Sequence, residues 1–159
     1  MPSTFPLNQT LYFSFSHDTN IASILTAFGL RQFAQFLPST GPPANQQMIV
    51  SHMEPFGARL DIEIINTPKP IAANRTNAAN AYTNGNATSY IHFIQNQRTI
   101  PLGASFPQCG NRTDGWCELG TFLNVQAGSL AAAQYNYSCN GVYPAVPYGS
   151  INNGVPQST

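Results

Sequence analysis

Residues 11–30 read LYFSFSHDTNIASILTAFGL, and the change of pattern inside this stretch decides the fold. Residues 11–16 alternate aromatic or aliphatic side chains with serines and a tyrosine, which predicts a strand. The apolar residues that follow recur at helical spacing and predict one buried stripe of a helix: Ile21, Ile24, Leu25 and Phe28. Asp18 or Thr19 is expected to cap this helix, and Gly29 to end it in the left-handed conformation.

The dipeptide His17-Asp18 therefore falls at a predicted strand-to-helix turn. In an open α/β sheet, ligands bind in the crevice outside the carboxyl ends of the strands. The amides and the dipole at a helix N-terminus favour an anion at such a point. A histidine and a carboxylate placed there could hold a phosphate and transfer a proton. The alternative is an aspartate that caps the helix beside a histidine with no chemical role.

Length and composition restrict the remaining possibilities. The 159 residues predict a single domain, and only 8% of them are charged, with no net charge. This balance gives no electrostatic basis for binding nucleic acid or an anionic membrane, so neither partner is expected. The chain has no run long enough to span a membrane, and its first residues lack the pattern of a signal peptide. Nucleotide-binding and nucleophile-elbow motifs are absent, and we predict no cofactor.

Other features are typical of an extracellular protein. Five asparagines begin N-x-[ST] sequons and are candidate glycosylation sites: Asn8, Asn74, Asn86, Asn111 and Asn136. Cys109 and Cys117 flank a short glycine-containing loop and could form a disulfide in an oxidising compartment, which leaves Cys139 unpaired. The alternative is three separate buried thiols. No histidine or cysteine pair has the spacing of zinc ligands, so we predict no metal site.

The rest of the chain predicts antiparallel strands and short helices. Residues 59–65 alternate as a strand with one wet face, where Asp61 and Glu63 are either a catalytic carboxylate pair or, as the pattern favours, solvated residues. Residues 90–94 and 98–102 predict a hairpin with a tight turn at Asn96-Gln97. Further predictions are an extended run at 48–53, a mobile Asn/Ala/Thr-rich loop at 66–89, helical turns at 31–37 and 130–134, a helix at 118–126 with Leu119, Phe122 and Leu123 on one side, and a frayed tail at 144–159.

Three segments and the cysteine loop resemble, in the same order, the C-terminal part of fungal histidine acid phosphatases, the group that includes phytases. The segments are FSFSHDTNI, PFGARLDIEII and NQRTIPLG, at residues 13–21, 55–65 and 96–103. The resemblance implies a mixed α/β sheet with helices on both faces, of which this chain is one incomplete domain over residues 1–159. It implies hydrolysis of a phosphate monoester through a phosphohistidine, with His17 contacting the phosphate and Asp18 protonating the leaving alcohol. It also implies a secreted, disulfide-bonded glycoprotein in which Cys139 pairs with an upstream cysteine.

The sequence departs from that family in one respect. The family's nucleophilic histidine belongs to an R-H-G-x-R-x-P motif, and these 159 residues contain no Arg-His pair. We therefore expect a chain that is inactive alone and that works with the N-terminal remainder of the same enzyme. The alternative is a non-catalytic secreted glycoprotein or interaction domain in which the His-Asp dipeptide is vestigial.

Overall fold

A computed structural model describes residues 8–36, 38–75 and 81–141, in which a small antiparallel sheet carries the core. The central strand is β2, Thr88–Gln95. Strand β1, Leu60–Thr67, pairs with one edge of β2 along its whole length. Strands β3, Arg98–Ile100, and β4, Cys117–Glu118, share the other edge. The predicted tail at 144–159 lies outside the described residues.

The β2–β3 hairpin confirms the predicted tight turn. Asn96 and Gln97 both have positive φ, 48° and 68°, as a two-residue turn that matches the twist of the strands requires. The side chain of Asn96 also joins the turn to its neighbours: its Oδ1 accepts from the amide of Arg59 at 2.8 Å, and its Nδ2 donates to the carbonyl of His52 at 2.8 Å. The hairpin is therefore fixed to the start of β1 and to the segment before it.

Helix α1, Asp18–Ala27, ends as the sequence predicts. Gly29 has φ 75°, its amide donates to the carbonyl of Thr26, and the amide of Leu30 donates to the carbonyl of Leu25. This is the Schellman arrangement, in which an apolar residue beyond the glycine packs against the last turn. Leu25 and Leu30 are both buried, so the end of α1 is part of the core.

The other helices are short and lie mainly towards the end of the described chain. They are α2, Val50–Met53; α3, Leu119–Gln126; α4, Ser129–Ala133; and α5, Tyr135–Asn140. Single 3-10 turns lie at Arg31–Phe33, Leu102–Ala104 and Pro107–Cys109. The helix predicted at 118–126 and the helical turn predicted at 130–134 are thus confirmed. Of the turn predicted at 31–37, only residues 31–33 are helical, and residue 37 lies outside the described residues. No helix in the described part of the chain is long and apolar enough to cross a membrane.

An aromatic cluster joins α1 and α3 to the sheet. Phe93 of β2 is fully buried, with its ring centroid 5.1 Å from that of Phe28 and 5.7 Å from that of Phe122. Phe106 meets Phe122 edge-to-face at 5.7 Å. Helices packed on an antiparallel sheet confirm the predicted α/β class.

Two predicted elements are wrong. Residues 11–16 are not a strand: they have no regular structure and are exposed, Phe13 to 76% and Phe15 to 94%. Within the described residues no strand pairs with them, and an alternating segment without a neighbour cannot complete its backbone hydrogen bonds. The predicted extended run at 48–53 contains helix α2 instead, because the carbonyl of Ile49 accepts two amides, from His52 and Met53, and closes a turn.

Two further predictions differ from the structure in their details. The region 66–89 is shorter as a loop than predicted, because β1 continues through Thr67 and β2 begins at Thr88. An isolated bridge also joins Ile71 to Tyr82 inside this region. Residues 76–80 lie outside the described residues, and the mobility of the loop stays a prediction. Leu123, predicted on the same side of α3 as Leu119 and Phe122, is instead 57% exposed: Phe122 is buried and Leu119 and Val125 pack against the core.

Candidate active site

His17 and Asp18 stand at the first turn of α1, exposed to solvent. His17 is the N-cap residue with extended backbone, φ −91° and ψ 162°, and Asp18 is the first helical residue. The helix is ten residues long, so its amides and its dipole present positive potential at this end. The sequence correctly predicts that the dipeptide lies where a helix begins. The predicted strand before it is absent.

The prediction that Asp18 or Thr19 is the N-cap residue is wrong. His17 occupies the N-cap position and its side chain makes no capping bond. The carboxylate of Asp18 instead accepts from the amide of Thr19, with 2.7 Å between Oδ1 and the nitrogen. An acidic residue in the first turn stabilises the helix through the dipole without being its cap. The aspartate is therefore held close to the amides of the first turn, beside the histidine.

Asn20 fixes the backbone around the dipeptide. Its side-chain amide donates to Ser16 Oγ at 2.5 Å, and its backbone amide donates to the carbonyl of His17 at 3.1 Å. These two bonds connect the residue before the histidine to the first turn after it. This role of Asn20 was not predicted from the sequence, although its position four residues after Ser16, across a helix start, was the available signal.

Asp61 and Glu63, the candidate carboxylate pair of β1, do not form an acid–base site. The guanidinium of Arg59 lies 2.8 Å from Asp61, while Glu63 lies 3.1 Å from Nδ1 of His92. Each carboxylate thus has its own partner on the polar face of the sheet, which agrees with the favoured interpretation. Nε2 of His92 is 2.9 Å from the hydroxyl of Thr99, so this histidine has partners at both ring nitrogens.

The cysteine loop is closed by a disulfide. A disulfide joins Cys109 to Cys117, which confirms the predicted pair, and Cys139 is an exposed free thiol. Inside the loop, Arg112 binds Asp114 through two nitrogens at 2.9 and 2.8 Å, and both side chains are nearly buried. Arg75 Nη1 lies 3.0 Å from the same carboxylate, an ion pair that lacks hydrogen-bond geometry.

The buried charge cluster of Arg75, Arg112 and Asp114 was not predicted from the sequence. Its signal was the run Arg-Thr-Asp inside the disulfide loop, which places an arginine and an aspartate two residues apart. The guanidinium of Arg75 also lies over the ring of Trp116, 4.4 Å from the centroid, and that of Arg112 lies 4.8 Å from the centroid of Tyr90. The charges of this buried carboxylate and its two arginines are paired with each other, which is typical of a structural cluster. Arg112 and Tyr90 also line a cavity of about 260 Å³ together with Glu118. Within the described ranges no group of three His, Cys, Asp or Glu side chains could hold a metal ion.

The His-Asp dipeptide at the start of a helix and the disulfide loop are features on which the resemblance to histidine acid phosphatases rests. The family model of the histidine phosphatase superfamily, branch 2, matches residues 2–96. The chain belongs to this superfamily, and the resemblance found in the sequence is confirmed.

Three curated fungal proteins are similar to the chain. Phytase A of Emericella nidulans is 31% identical over 74% of this chain and 23% of its own length. Phytase A of Arthroderma benhamiae is 31% identical over 77% of this chain and 24% of its own. The acid phosphatase of Schizosaccharomyces pombe is 26% identical over 88% of this chain and 29% of its own. The chain thus spans about a quarter of the length of these relatives. No solved structure matched it.

Proposed function

We propose that this chain supplies the proton-donor part of an acid phosphomonoesterase that acts through a phosphohistidine intermediate. His17 would contact the phosphate of the substrate, and Asp18 would protonate the leaving alcohol. The observation that carries this proposal is the exposed position of both residues at the N-terminus of a ten-residue helix in a chain of the histidine phosphatase superfamily. Phosphate monoesters, phytate among them, are the proposed substrates, because the similar proteins are named phytases and an acid phosphatase.

The geometry at the helix start suits this division of roles. A phosphate placed before α1 would meet the positive end of the helix dipole and the imidazole of His17. Asp18 is one residue further, and its Oδ1 already accepts the amide of Thr19. Its other oxygen, Oδ2, is then the atom that would carry the proton to the leaving oxygen. Asn20, through its bonds to Ser16 and to the carbonyl of His17, would fix the positions of the two catalytic residues relative to each other.

The nucleophile is proposed to come from another part of the same enzyme. A phosphohistidine route needs an unprotonated ring nitrogen aimed at phosphorus and clustered cations around the equatorial oxygens. The 159 residues contain no Arg-His pair that could begin the family's R-H-G-x-R-x-P motif. We infer that the chain alone gives only background hydrolysis. Turnover of an aryl phosphate by the purified chain at rates typical of enzymes, on the order of 1–1000 per second, would contradict this inference.

The experiment that tests the two roles compares leaving groups. The chain is placed after a segment that carries R-H-G-x-R-x-P, and turnover is measured with an alkyl phosphate and with an activated aryl phosphate. Asp18→Asn should lower turnover of the alkyl ester about 100- to 10,000-fold, the range for a positioned general acid. The loss should be much smaller for the aryl ester, whose leaving group needs little protonation. His17→Ala should slow both esters, because the phosphate contact is needed whatever leaves.

The control variant is Ser23→Ala, on the exposed surface of the same helix, where the hydroxyl bonds only the carbonyl of Thr19. It should leave both rates unchanged. Equal losses for the two esters in Asp18→Asn would make the aspartate a structural residue of the helix start. The proton donor would then be one of the other carboxylates of the enzyme.

We also propose that the protein is secreted and glycosylated. The disulfide and the similar fungal phytases support an oxidising compartment. Asn8, Asn74, Asn86 and Asn111 are all exposed, as carriers of glycans must be. Asn136 is the fifth candidate glycosylation site.

A second candidate function is a non-catalytic, secreted interaction domain. It is favoured by apolar side chains that the described chain leaves in solvent, namely Leu11, Phe13, Phe15, Phe56, Ile62 and Ile64. Such residues mark surfaces that another polypeptide covers. The leaving-group experiment separates the two candidates, because a vestigial His17-Asp18 predicts that neither substitution changes turnover.

A further inference from the structure

The sequon at Asn111 is held by long-range hydrogen bonds in the folded chain, whereas the hydroxyl of Thr88 in the sequon at Asn86 bonds within its own tripeptide, to the carbonyl of Asn86. Asn111, Arg112 and Thr113 lie inside the loop that the Cys109–Cys117 disulfide closes. The hydroxyl of Thr113 donates to the carbonyl of Ala73 at 3.0 Å and reaches that of Arg75 at 3.5 Å. The backbone amide of Thr113 donates to the same carbonyl of Ala73 at 3.0 Å. The last residue of the sequon is thus attached to the β1–β2 connection from both its backbone and its side chain.

The middle residue of the sequon is fixed as well. The guanidinium of Arg112 binds Asp114 twice and also donates to the carbonyl of Ile71 at 3.2 Å. Asp114 in turn accepts the amide of Trp116 at 3.0 Å. A Cβ atom on Gly115 would lie 2.5 Å from a methyl carbon of Thr99, so the loop lies directly against β3. The tripeptide cannot move away from the body of the protein without breaking several of these contacts.

Enzymatic N-glycosylation needs the opposite arrangement. The transferase binds the acceptor tripeptide in a groove and uses the hydroxyl of the third residue to position the asparagine amide. The Nδ2 atom of asparagine then attacks C1 of a lipid-linked oligosaccharyl diphosphate and loses a proton to a base. The C–N bond forms as the C1–O bond to the diphosphate breaks, and the lipid diphosphate leaves. Thr113 is bonded to the carbonyl of Ala73 through both its hydroxyl and its amide, so the tripeptide cannot enter such a groove until these bonds break.

We infer that Asn111 accepts a glycan only before the Cys109–Cys117 loop closes, and that the folded, oxidised loop is closed to the transferase. The inference rests on the secretory location included in the proposed function. The side chain of Asn111 is itself exposed, so a glycan added early projects into solvent and the loop can still close. Occupancy of this site therefore records whether modification preceded disulfide formation in each molecule.

The sequon at Asn8 supplies the internal comparison. Asn8, Gln9 and Thr10 are exposed and lie outside helices and strands. Their side chains remain exposed in the folded chain. Their rate of modification should therefore not depend on the state of the disulfide.

The test measures the rate of modification at each sequon of the whole 159-residue chain, made without glycans. Oxidised chain, and chain reduced and alkylated, are each supplied with purified oligosaccharyltransferase and a lipid-linked oligosaccharide. Modification is followed by mass spectrometry of peptides. The rate at Asn111 should be at least about tenfold lower in the oxidised chain, the factor expected when two or three hydrogen bonds must open. The rate at Asn8 should agree within about twofold between the two samples, because local exposure there does not change.

A second variant keeps the disulfide and loosens the loop. Asp114→Ala removes the acceptor of Arg112 and of the Trp116 amide and leaves the sequon and both cysteines intact. It should raise the rate at Asn111 in the oxidised chain and leave the rate at Asn8 unchanged. Equal rates at Asn111 in the oxidised and the reduced chain would overturn the inference. Neither rate depends on phosphatase activity or on natural secretion, so the result is independent of the roles proposed for His17 and Asp18.

Discussion

Phe93→Ala tests whether the aromatic cluster holds the candidate site onto the sheet. Phe93 has no exposed surface and contacts the rings of Phe28, the C-cap residue of α1, and of Phe122 in α3. Truncation of a buried phenylalanine costs about 3–5 kcal/mol through lost transfer energy and the cavity left behind. Each edge-to-face or tilted ring contact contributes about 0.5–1.5 kcal/mol in addition to burial. We therefore expect a loss in the upper part of this range, about 4–5 kcal/mol.

The measurement is urea unfolding followed by the fluorescence of Trp116, the single tryptophan, which lies between Tyr90, His92 and Arg75. With a slope of about 2 kcal/mol per M, a loss of 4 kcal/mol lowers the midpoint by about 2 M. Since small domains have about 5–15 kcal/mol of stability in total, the variant should be close to unfolding in water. Phe93→Leu, which keeps most of the volume, should cost less than about 1.5 kcal/mol.

Phe56→Ala is the matched control, because it removes the same atoms from a fully exposed side chain. It should change the free energy of unfolding by less than about 0.5 kcal/mol. Hydrogen exchange gives a second readout: amides of α1 should exchange faster in Phe93→Ala, since Phe28 loses its partner. A loss below about 1 kcal/mol in Phe93→Ala would refute the argument that this ring organises the core.

Three further changes have expected outcomes on the same unfolding assay. Replacing Cys109 and Cys117 by serine should lower stability by about 2.5 kcal/mol, from the loop entropy of a bridge with sequence separation 8, and an unchanged midpoint would contradict this. Asn96→Gly should cost about 2 kcal/mol because its side-chain hydrogen bonds are lost, whereas Gln97→Gly should raise stability by about 0.5 kcal/mol, since glycine adopts φ 68° without strain. Asp114→Ala should cost about 3–5 kcal/mol, because two nearly buried arginines lose their anion; Asp61→Ala, which breaks an exposed pair, should cost less than about 1 kcal/mol.

The predictions that the structure confirms depend on short stretches of chain. The tight turn at Asn96-Gln97, the end of α1 at Gly29 and the Cys109–Cys117 pair each follow from residues within ten positions of one another. Turn residues, positive φ and short-range pairing are local properties, so sequence patterns report them directly. The position of His17-Asp18 at a helix start belongs to the same group, because it needs only the change of hydrophobic period after residue 17.

The predictions that fail depend on distant neighbours. Residues 11–16 have the strongest alternating pattern near the site, and yet they are exposed. Alternation predicts which face of a strand would be buried, but it does not show whether another part of the chain covers that face. Strand β1 shows the same effect within the sheet. Ile62 pairs with Phe93 and Ile64 with Ile91, so all four side chains lie on the core face. Phe93 and Ile91 are buried, whereas Ile62 and Ile64 remain 43% and 50% exposed.

The exposed part of this face adjoins the edge of β1 with which no described strand pairs, on the side of the sheet away from β3 and β4. A strand edge that carries apolar side chains is a template for a further strand. In the full enzyme that we propose, such a strand would also bury Ile62 and Ile64. Substituting both residues by threonine should then leave the stability of this chain within about 1 kcal/mol and lower that of the full enzyme by several kcal/mol, since only there would the two side chains be buried. Equal effects in the two proteins would show that β1 remains an outer edge in the complete fold.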